Sequence, residues 1–366
     1  MSRTEPARCL ISTGAVDGSG RRQMLSAGRN LNAGRCHVHS LTDKIALMKG
    51  TAGRVASLLA VLGCSHGRAG DGCAHGPGTL EPLGPGSATI RTVFVIVMEN
   101  TNWSEIAGNP SAPYINRKLL PAASFATQYF NPRGLHPSEP NYLWLEGGTD
   151  YGIRDNDDPA AHHLPNRDHL VSLLGQAGIT WKAYQEGISG GECPLRSEGL
   201  YAAKHNPFVY FDDLTGGLNP NSPACVSHVR PFEELAADLQ VGTVARYNFI
   251  TPDLCHDMHG APACSTLNEI HSGDAWLAQW VPVILSSPAY ANGGALFIVW
   301  DESEGGDYPI GLIVLSAAAK GGGYSNAIRY THSSLLRTLQ EIFGVGPLLC
   351  DAARATALSD LFRVFP

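Results

Sequence analysis

Apolar residues run without a break through Thr92-Val93-Phe94-Val95-Ile96-Val97-Met98 and again through Ala295-Leu296-Phe297-Ile298-Val299-Trp300. Each run ends in acid, Glu99-Asn100 in the first case and Asp301-Glu302 in the second. A strand with one wet face alternates apolar and polar residues, whereas an unbroken run is the pattern of a central strand covered on both faces. These runs predict strands at 92–99 and 295–301, joined by weaker strand patterns at 126–131, 179–184, 244–251 and 310–316. Helical spacing and start or stop residues predict helices at 112–122, 138–146, 167–176, 230–240, 272–287 and 331–343, the last stopped by Gly344. The alternation of the two kinds of element predicts an α/β fold, a mostly parallel central sheet with helices on both faces. Such sheets bind ligands at the carboxyl ends of their strands. If 92–99 and 295–301 run the same way, Glu99, Asp301 and Glu302 meet in one crevice. Two carboxylates about 4 Å apart repel by roughly 4 kcal/mol at an effective dielectric of 20, and a divalent cation between them reverses the sign. The plainer alternative leaves both acidic tails in solvated loops.

The first 90 residues carry a different pattern. Residues 1–47 are rich in Arg, Gly and Ser without periodicity, which predicts a poorly ordered stretch; Arg21-Arg22 hints at a twin-arginine signal, but no apolar run follows. From Met48 the order is positive (Lys49, Arg54), apolar (Val55 to Leu62), small, then Cys64. That is an export signal, too short to span a bilayer. Val61-Leu62-Gly63-Cys64 resembles a bacterial lipobox, so Cys64 is a candidate for lipidation and membrane anchoring, with translation starting at Met48. Residues 65–90 form a Gly/Pro-rich tether, and 91–366 are long enough for one sizeable core. The expected address is extracellular or on the cell envelope.

Charge narrows the partners. The chain has 26 Lys+Arg against 33 Asp+Glu, a formal net charge of −7, and no basic stripe, which argues against nucleic acid. Attraction for an anionic ligand has to be local. Among nine cysteines, Cys193 with Cys225 and Cys255 with Cys264 are plausible disulfide pairs bracketing candidate site loops, each closure worth roughly 3 kcal/mol in the chain-entropy model. Zinc held by Cys255, His259 and Cys264 is the alternative, though the paired short knuckles of structural zinc sites are missing. Cys350 has no evident partner, and Cys73 lies in the tether.

The remaining chemistry sits in short motifs. Ser138 stands between two prolines in His136-Pro137-Ser138-Glu139-Pro140-Asn141-Tyr142, at the mouth of the 138–146 helix, where free N–H groups favour anions. A serine in that place is more often an ordinary N-cap. With Val97-Met98-Glu99-Asn100, Lys204-His205-Asn206-Pro207-Phe208, Asp257-Met258-His259, Gly273-Asp274-Ala275-Trp276-Leu277 and Trp300-Asp301-Glu302, it makes six motifs in order. In this order and spacing the chain resembles the bacterial phosphoesterases that group secreted acid phosphatases with phospholipases C, within the alkaline-phosphatase-like superfamily. The likeness covers nearly all of 91–366. It implies an alkaline-phosphatase-like fold, a phosphate ester substrate, Ser138 as nucleophile, and a divalent cation of unknown identity surrounded by Glu99, Asn100, Ser138, His259, Asp301 and Glu302.

A serine hydroxyl needs a base, a depressed pKa or a metal to attack phosphorus, and a cation supplies this directly. The expected course is in-line attack by Ser138, a phosphoseryl intermediate and hydrolysis. Charge on the transferring group would be held by the cation, by N–H groups at the start of the Ser138 helix, and by Lys204 and His205. His136 is placed to protonate the leaving group, or merely to cap backbone. Asp257 and His332 are candidates for a second ion. His162-His163 looks like a chelating pair but is expected to be solvated, and His169 and His256 receive no role. The favoured function is an exported phosphomonoesterase of acid-phosphatase type. A phospholipase C-type phosphodiesterase is the enzymatic alternative, disfavoured because the resembling phospholipases carry further carboxyl-terminal β domains while this chain ends at Pro366. An inactive metal- or phosphate-binding envelope lipoprotein is the alternative of another class.

Overall fold

The computed structural model describes residues 83, 84 and 86–366, together with the backbone of two short strands nearer the amino terminus. The chain divides into two units, Met1–Cys64 and Ser65–Pro366. In the first, Ala15–Val16 and Arg22–Gln23 pair antiparallel. The rest of 1–47, the export signal with Cys64, and most of the tether with Cys73 lie outside the described residues.

The second unit is built on an eight-stranded sheet. In chain order its strands are β1 (Thr92–Met98), β2 (Ser124–Ala126), β3 (Trp181–Gln185), β4 (Val229–Pro231), β5 (Tyr247–Thr251), β6 (Gly294–Trp300), β7 (Leu312–Ser316) and β8 (Tyr324–Asn326). Across the sheet they lie in the order β8-β2-β7-β6-β1-β5-β3-β4. Every neighbouring pair is parallel except the two made by β7. The sheet is therefore mostly parallel, and β1 and β6 stand side by side at its centre. Their side chains are buried along the whole length apart from Thr92. This is the physical content of the two unbroken apolar runs.

Register then does the positioning. Met98 pairs with Trp300, and the Asp301 N–H donates to the Met98 carbonyl at 2.9 Å. Glu99 and Asp301 are thus the next residues on adjacent parallel strands and leave the sheet together at its carboxyl edge. On the other side of β1, β5 runs parallel with Ile96 opposite Ile250, so the segment after β5 arrives at the same edge. There the Glu99 N–H donates to the Asp257 carbonyl at 2.7 Å.

The principal helices are α1 (Ser138–Gly147), α2 (Leu170–Gln176), α3 (Glu234–Val241), α4 (Glu269–Leu285) and α5 (His332–Phe343). Gly148 closes α1 at φ 72°, a left-handed conformation that favours glycine. The Trp144 Nε1–H donates to Ser333 Oγ at 2.7 Å, fastening α1 to α5. Near its carboxyl end Glu146 is fully buried against His169 at 3.1 Å and accepts the Val171 N–H at 2.7 Å. His169 also meets Asp213 at 3.1 Å and stacks on Phe211. Flanked by two carboxylates, it is held protonated up to about 9 despite burial. A histidine given no role by sequence is a bracing cation for the serine-bearing helix.

Several expected boundaries moved. The 126–131 strand is two pieces, Ser124–Ala126 and Tyr129–Phe130, the second pairing with Tyr330–Thr331 outside the main sheet. The 112–122 helix is a π-turn, Ile115–Leu119, followed by one short turn containing Pro121. Residues 229–231, assigned in part to a helix, form the edge strand β4. Both expected disulfides, Cys193–Cys225 and Cys255–Cys264, are formed, which removes the zinc alternative. Cys350, expected to be unpaired, is disulfide-bonded.

Candidate active site

Ser138 is the first residue of α1, and its hydroxyl does not cap the helix. It donates instead to Glu99 Oε2 at 2.9 Å, lies 3.3 Å from Glu302 Oε1, and receives the Lys204 ammonium at 3.4 Å. Glu302 holds Asn100 Nδ2 at 3.2 Å on the same oxygen and His136 Nδ1 on the other. Ser138, Glu99, Asp301 and Glu302 are all at most 2% exposed. The structure thus places Glu99, Asn100, His136, Ser138 and Glu302, from three separate stretches of the chain, next to one another.

The entry to α1 is set by asparagines. Asn141 donates to the carbonyls of Leu135 (2.9 Å) and Pro137 (3.1 Å), and Asn131 also reaches Leu135 at 3.0 Å. The helix mouth is less open to an anion than the sequence suggested. Pro140 has no N–H, and the N–H of Glu139 is already given to Asn156 Oδ1 at 3.0 Å. Negative charge arriving at Ser138 must therefore be met mainly by side chains.

His205 is buried beneath the cluster. Its Nε2 lies 3.1 Å from Glu99 Oε1 without the alignment of a hydrogen bond, its Nδ1 is 3.9 Å from Asp257 Oδ2, and its ring stacks on Tyr142 with centroids 5.1 Å apart. Tyr142 is one helical turn on from Ser138, the i, i+4 relation that puts both on one face. The i, i+4 spacing from Ser138 is legible in the sequence, whereas the stack of Tyr142 on His205 is a tertiary contact.

Electrostatics divides the carboxylates. Burial opposes ionisation of Glu99, but His205, Lys204 and His259 together hold it down to about 2. The charge on Glu99 then acts on its neighbours. Burial and Glu99 push Asp257 up to about 7, and burial, Glu99 and Glu302 push Asp301 well above the carboxylate range. Glu302 is raised too, by burial against the pull of His136. Both oxygens of Asp301, one of Glu99, one of Asp257 and the Asn100 Oδ1 are buried without a hydrogen-bond partner. Orphaned buried oxygens are rare because each loses its hydration for nothing. As a set of oxygen donors they fit a positive ion.

Two expected ligands stand apart. His259 is exposed at the rim, within electrostatic reach of Glu99, and its backbone N–H donates to Asp257 Oδ1 at 2.9 Å. His332 accepts from Tyr129 at Nδ1 (3.1 Å) and donates through Nε2 to the Asp301 carbonyl. Burial depresses its pKa to about 4. With both nitrogens taken, this neutral imidazole positions the Asp301 backbone rather than serving a second ion.

The Gly273-Asp274 motif is architectural. Asp274 accepts the N–H groups of Tyr114 and Ile115, both at 2.8 Å. A Cβ at Gly273 would stand 2.2 Å from Met258 Cγ, and Met258 itself has φ 82° between Asp257 and His259. Gly273→Ala is expected to cost about 1–3 kcal/mol through overpacking, read by urea denaturation, and to lower activity by displacing Asp257.

A model of the phosphoesterase family matches residues 122–346, more than half of the chain. The chain belongs to the phosphoesterase family. The matched segment includes Ser138, Lys204-His205 and Asp301-Glu302, with Glu99-Asn100 just before it. This phosphoesterase is 30% identical over 290 residues to a phosphatidylinositol-3-phosphatase of Mycobacterium tuberculosis, covering 78% of this chain and 88% of that one. It is 27% identical over 287 residues to an acid phosphatase of Aspergillus niger, covering 74% of this chain and 63% of the fungal one, so it spans less than two thirds of that relative. Among solved structures, a protein in the alkaline phosphatase superfamily from Vibrio parahaemolyticus matches with TM-score 0.49 at 12% identity, over 76% of this chain and 73% of that one. A Bacteroides thetaiotaomicron protein from work on glycosaminoglycan metabolism matches with TM-score 0.50 at 11% identity, over 76% of this chain and 78% of that one. Such a likeness concerns the fold alone. The phosphoesterase is a hydrolase of phosphoric esters built on a mostly parallel α/β sheet. Among the described residues, no helix is long and apolar enough to cross a membrane.

Proposed function

We propose that the protein is an exported, divalent-cation-dependent phosphomonoesterase in which Ser138 attacks phosphorus. The observation that carries this reading is the Ser138 hydroxyl held 2.9 Å from Glu99 and 3.3 Å from Glu302, with Lys204 at 3.4 Å. Glu99, Asn100, Ser138, Asp301 and Glu302 would hold the cation, an oxygen donor set that suits magnesium, calcium, manganese or zinc. Bound there, such an ion supplies Lewis-acid stabilisation and a more acidic serine.

The protein's own residues carry the rest. The Ser138 Oγ–P bond forms as the ester P–O bond breaks, and the serine proton passes to Glu302, whose other oxygen already holds His136. His136 is half exposed, on the side open to solvent, and returns a proton to the departing alkoxide. Lys204, beside Ser138 Oγ, would face the oxygens that gain charge, while buried His205 holds Glu99 ionised from beneath. In the second step water attacks phosphorus and gives a proton to His136, replacing the one lost to the alkoxide, the Oγ–P bond breaks, and Glu302 returns its proton to Ser138 as phosphate leaves. Export rests on the 48–64 segment, and anchoring on Cys64.

The mycobacterial relative's name supports a lipid phosphomonoester as one substrate class. p-Nitrophenyl phosphate, bis-p-nitrophenyl phosphate and a phosphatidylinositol 3-phosphate vesicle, assayed with and without chelator, test the reading. The monoester is expected to exceed the diester in kcat/KM by roughly 10²-fold, a discrimination within reach of polar contacts to the extra phosphate oxygen. Equal turnover of the diester would mean a phospholipase C-type enzyme. No turnover with any added cation would leave only a binding protein.

A further inference from the structure

The acid beside the nucleophile is not used by this chemistry. Glu139 is 0% exposed, and neither of its carboxylate oxygens has a hydrogen-bond partner. Tyr210 is a close neighbour, but its hydroxyl proton goes to the Asp157 carbonyl at 3.2 Å. Glu139 faces Asp155 and His162, and one ligating atom from each of the three lies within 4.8 Å of the others. His162 Nε2 is 2.5 Å from Asp155 Oδ1. Asp157 and Asp158 add further negative charge around Glu139. A buried carboxylate with no donor and acidic neighbours is costly unless a positive charge compensates it.

A second group with the same spacing shows what a satisfied network looks like. In Glu186, Asp253 and His256, the imidazole Nδ1 meets both acids (3.0 and 3.1 Å), Glu186 accepts the Asp253 N–H, and Asp253 accepts the Cys255 N–H. Those groups brace one another. Glu139 has no such satisfaction.

We propose that Glu139, Asp155 and His162 form a second divalent-cation site that fastens the 155–162 segment to the first turn of the Ser138 helix. One imidazole among carboxylates suits zinc or manganese better than calcium or magnesium, which prefer oxygen alone. The backbone points the same way, because the Glu139 N–H already donates to Asn156 of that segment. The ion would tie down the residue next to the nucleophile. Its role is positioning.

The site is independent of the cation proposed at Glu99, and zinc titration into the metal-stripped full chain by calorimetry separates them. Wild type is expected to bind two equivalents, and Asp301→Asn to retain one. Adding His162→Ala to Asp301→Asn should weaken the retained zinc at least tenfold and abolish its upward shift of Tm. Asp155→Ala should do the same, and both side chains lie toward the surface, so folding is preserved. His162→Ala in the wild-type background should lower the stoichiometry from two to one, a reading that survives if Asp301→Asn misfolds. Zinc affinity unchanged by both His162→Ala and Asp155→Ala, or no zinc retained by folded Asp301→Asn, overturns the proposal. A wild type that binds one ion, kept in Asp301→Asn and lost in His162→Ala, upholds it while removing the cation from the Ser138 centre.

Discussion

Ser138→Ala is expected to lower phosphomonoester turnover by about 10³-fold or more while leaving the fold and the disulfides intact. Removing a nucleophile removes the covalent route altogether, and what remains is the residual catalysis that binding and electrostatics give to water. Alanine at the first position of α1 is compatible with the helix, since the native hydroxyl is spent on Glu99 and not on a cap. Circular dichroism should therefore change little beside the loss of rate, and urea unfolding should fall by about 1–3 kcal/mol because Glu99 Oε2 loses its hydroxyl donor. A quenched reaction of wild type should trap phosphate on Ser138, and the variant should trap none. A variant retaining more than a tenth of wild-type turnover would show that water attacks directly, and Ser138 would be reduced to holding Glu99 in place. Lys204→Ala, by comparison, should raise KM and lower kcat more modestly, because the ammonium at 3.4 Å from Ser138 contributes charge without forming a bond.

The sequence made the centre of the sheet legible because β1 and β6 are apolar on both faces, as a strand covered on both sides needs to be. Once they are neighbours, the meeting of Glu99 with Asp301 follows from register, with no further information required. Ser138 was legible as a helix-start residue of special context, and the Cys193–Cys225 and Cys255–Cys264 pairings from their modest loop lengths. What stayed hidden depends on side-chain contacts between distant segments. His332 lies on a helix start like any other, and only the tertiary structure reveals that Tyr129 and the Asp301 carbonyl occupy both its nitrogens. The deficit of free N–H groups at the mouth of α1 depends on Asn156, which is 17 residues from Glu139 in a loop without periodicity. Likewise, Gly273 reads as an unremarkable helix glycine until Met258 is seen against it. Antiparallel β7 shows the limit of apolar patterning, which reports burial and says nothing of direction.

Metal-stripped protein is expected to lose stability as pH rises from about 4 to 7, and a saturating divalent cation to remove most of that loss. Asp257 carries the argument. Burial and the charge on Glu99 raise its folded pKa from 3.8 to about 7, so between those values the folded state binds more protons than the unfolded chain. Stability then falls with rising pH across that window. Asp301 and Glu302 are raised for the same physical reason and act in the same direction. Glu139, pushed up to about 9 by burial and acidic neighbours, extends the decline upward. Glu99 has the opposite sign: held down to about 2, it contributes stability above its ordinary 4.5 that is lost only as pH falls toward 2. The two effects therefore occupy different pH ranges. From 4 to 7 the loss attributable to the Ser138 centre should be about 2–4 kcal/mol, the scale set by about 1.4 kcal/mol per pKa unit with allowance for strong interaction among the acids. A cation takes the place of those protons, and at 100 times its Kd it adds about 2.7 kcal/mol on its own. Urea unfolding at pH 4.5, 5.5 and 7, with chelator or with added cation, reads both quantities. Asp257→Asn should flatten part of the chelated slope and leave Glu99 ionised, whereas a chelated protein whose stability is the same at all three pH values, and indifferent to cation, would mean that the buried acids around Ser138 are balanced without an ion.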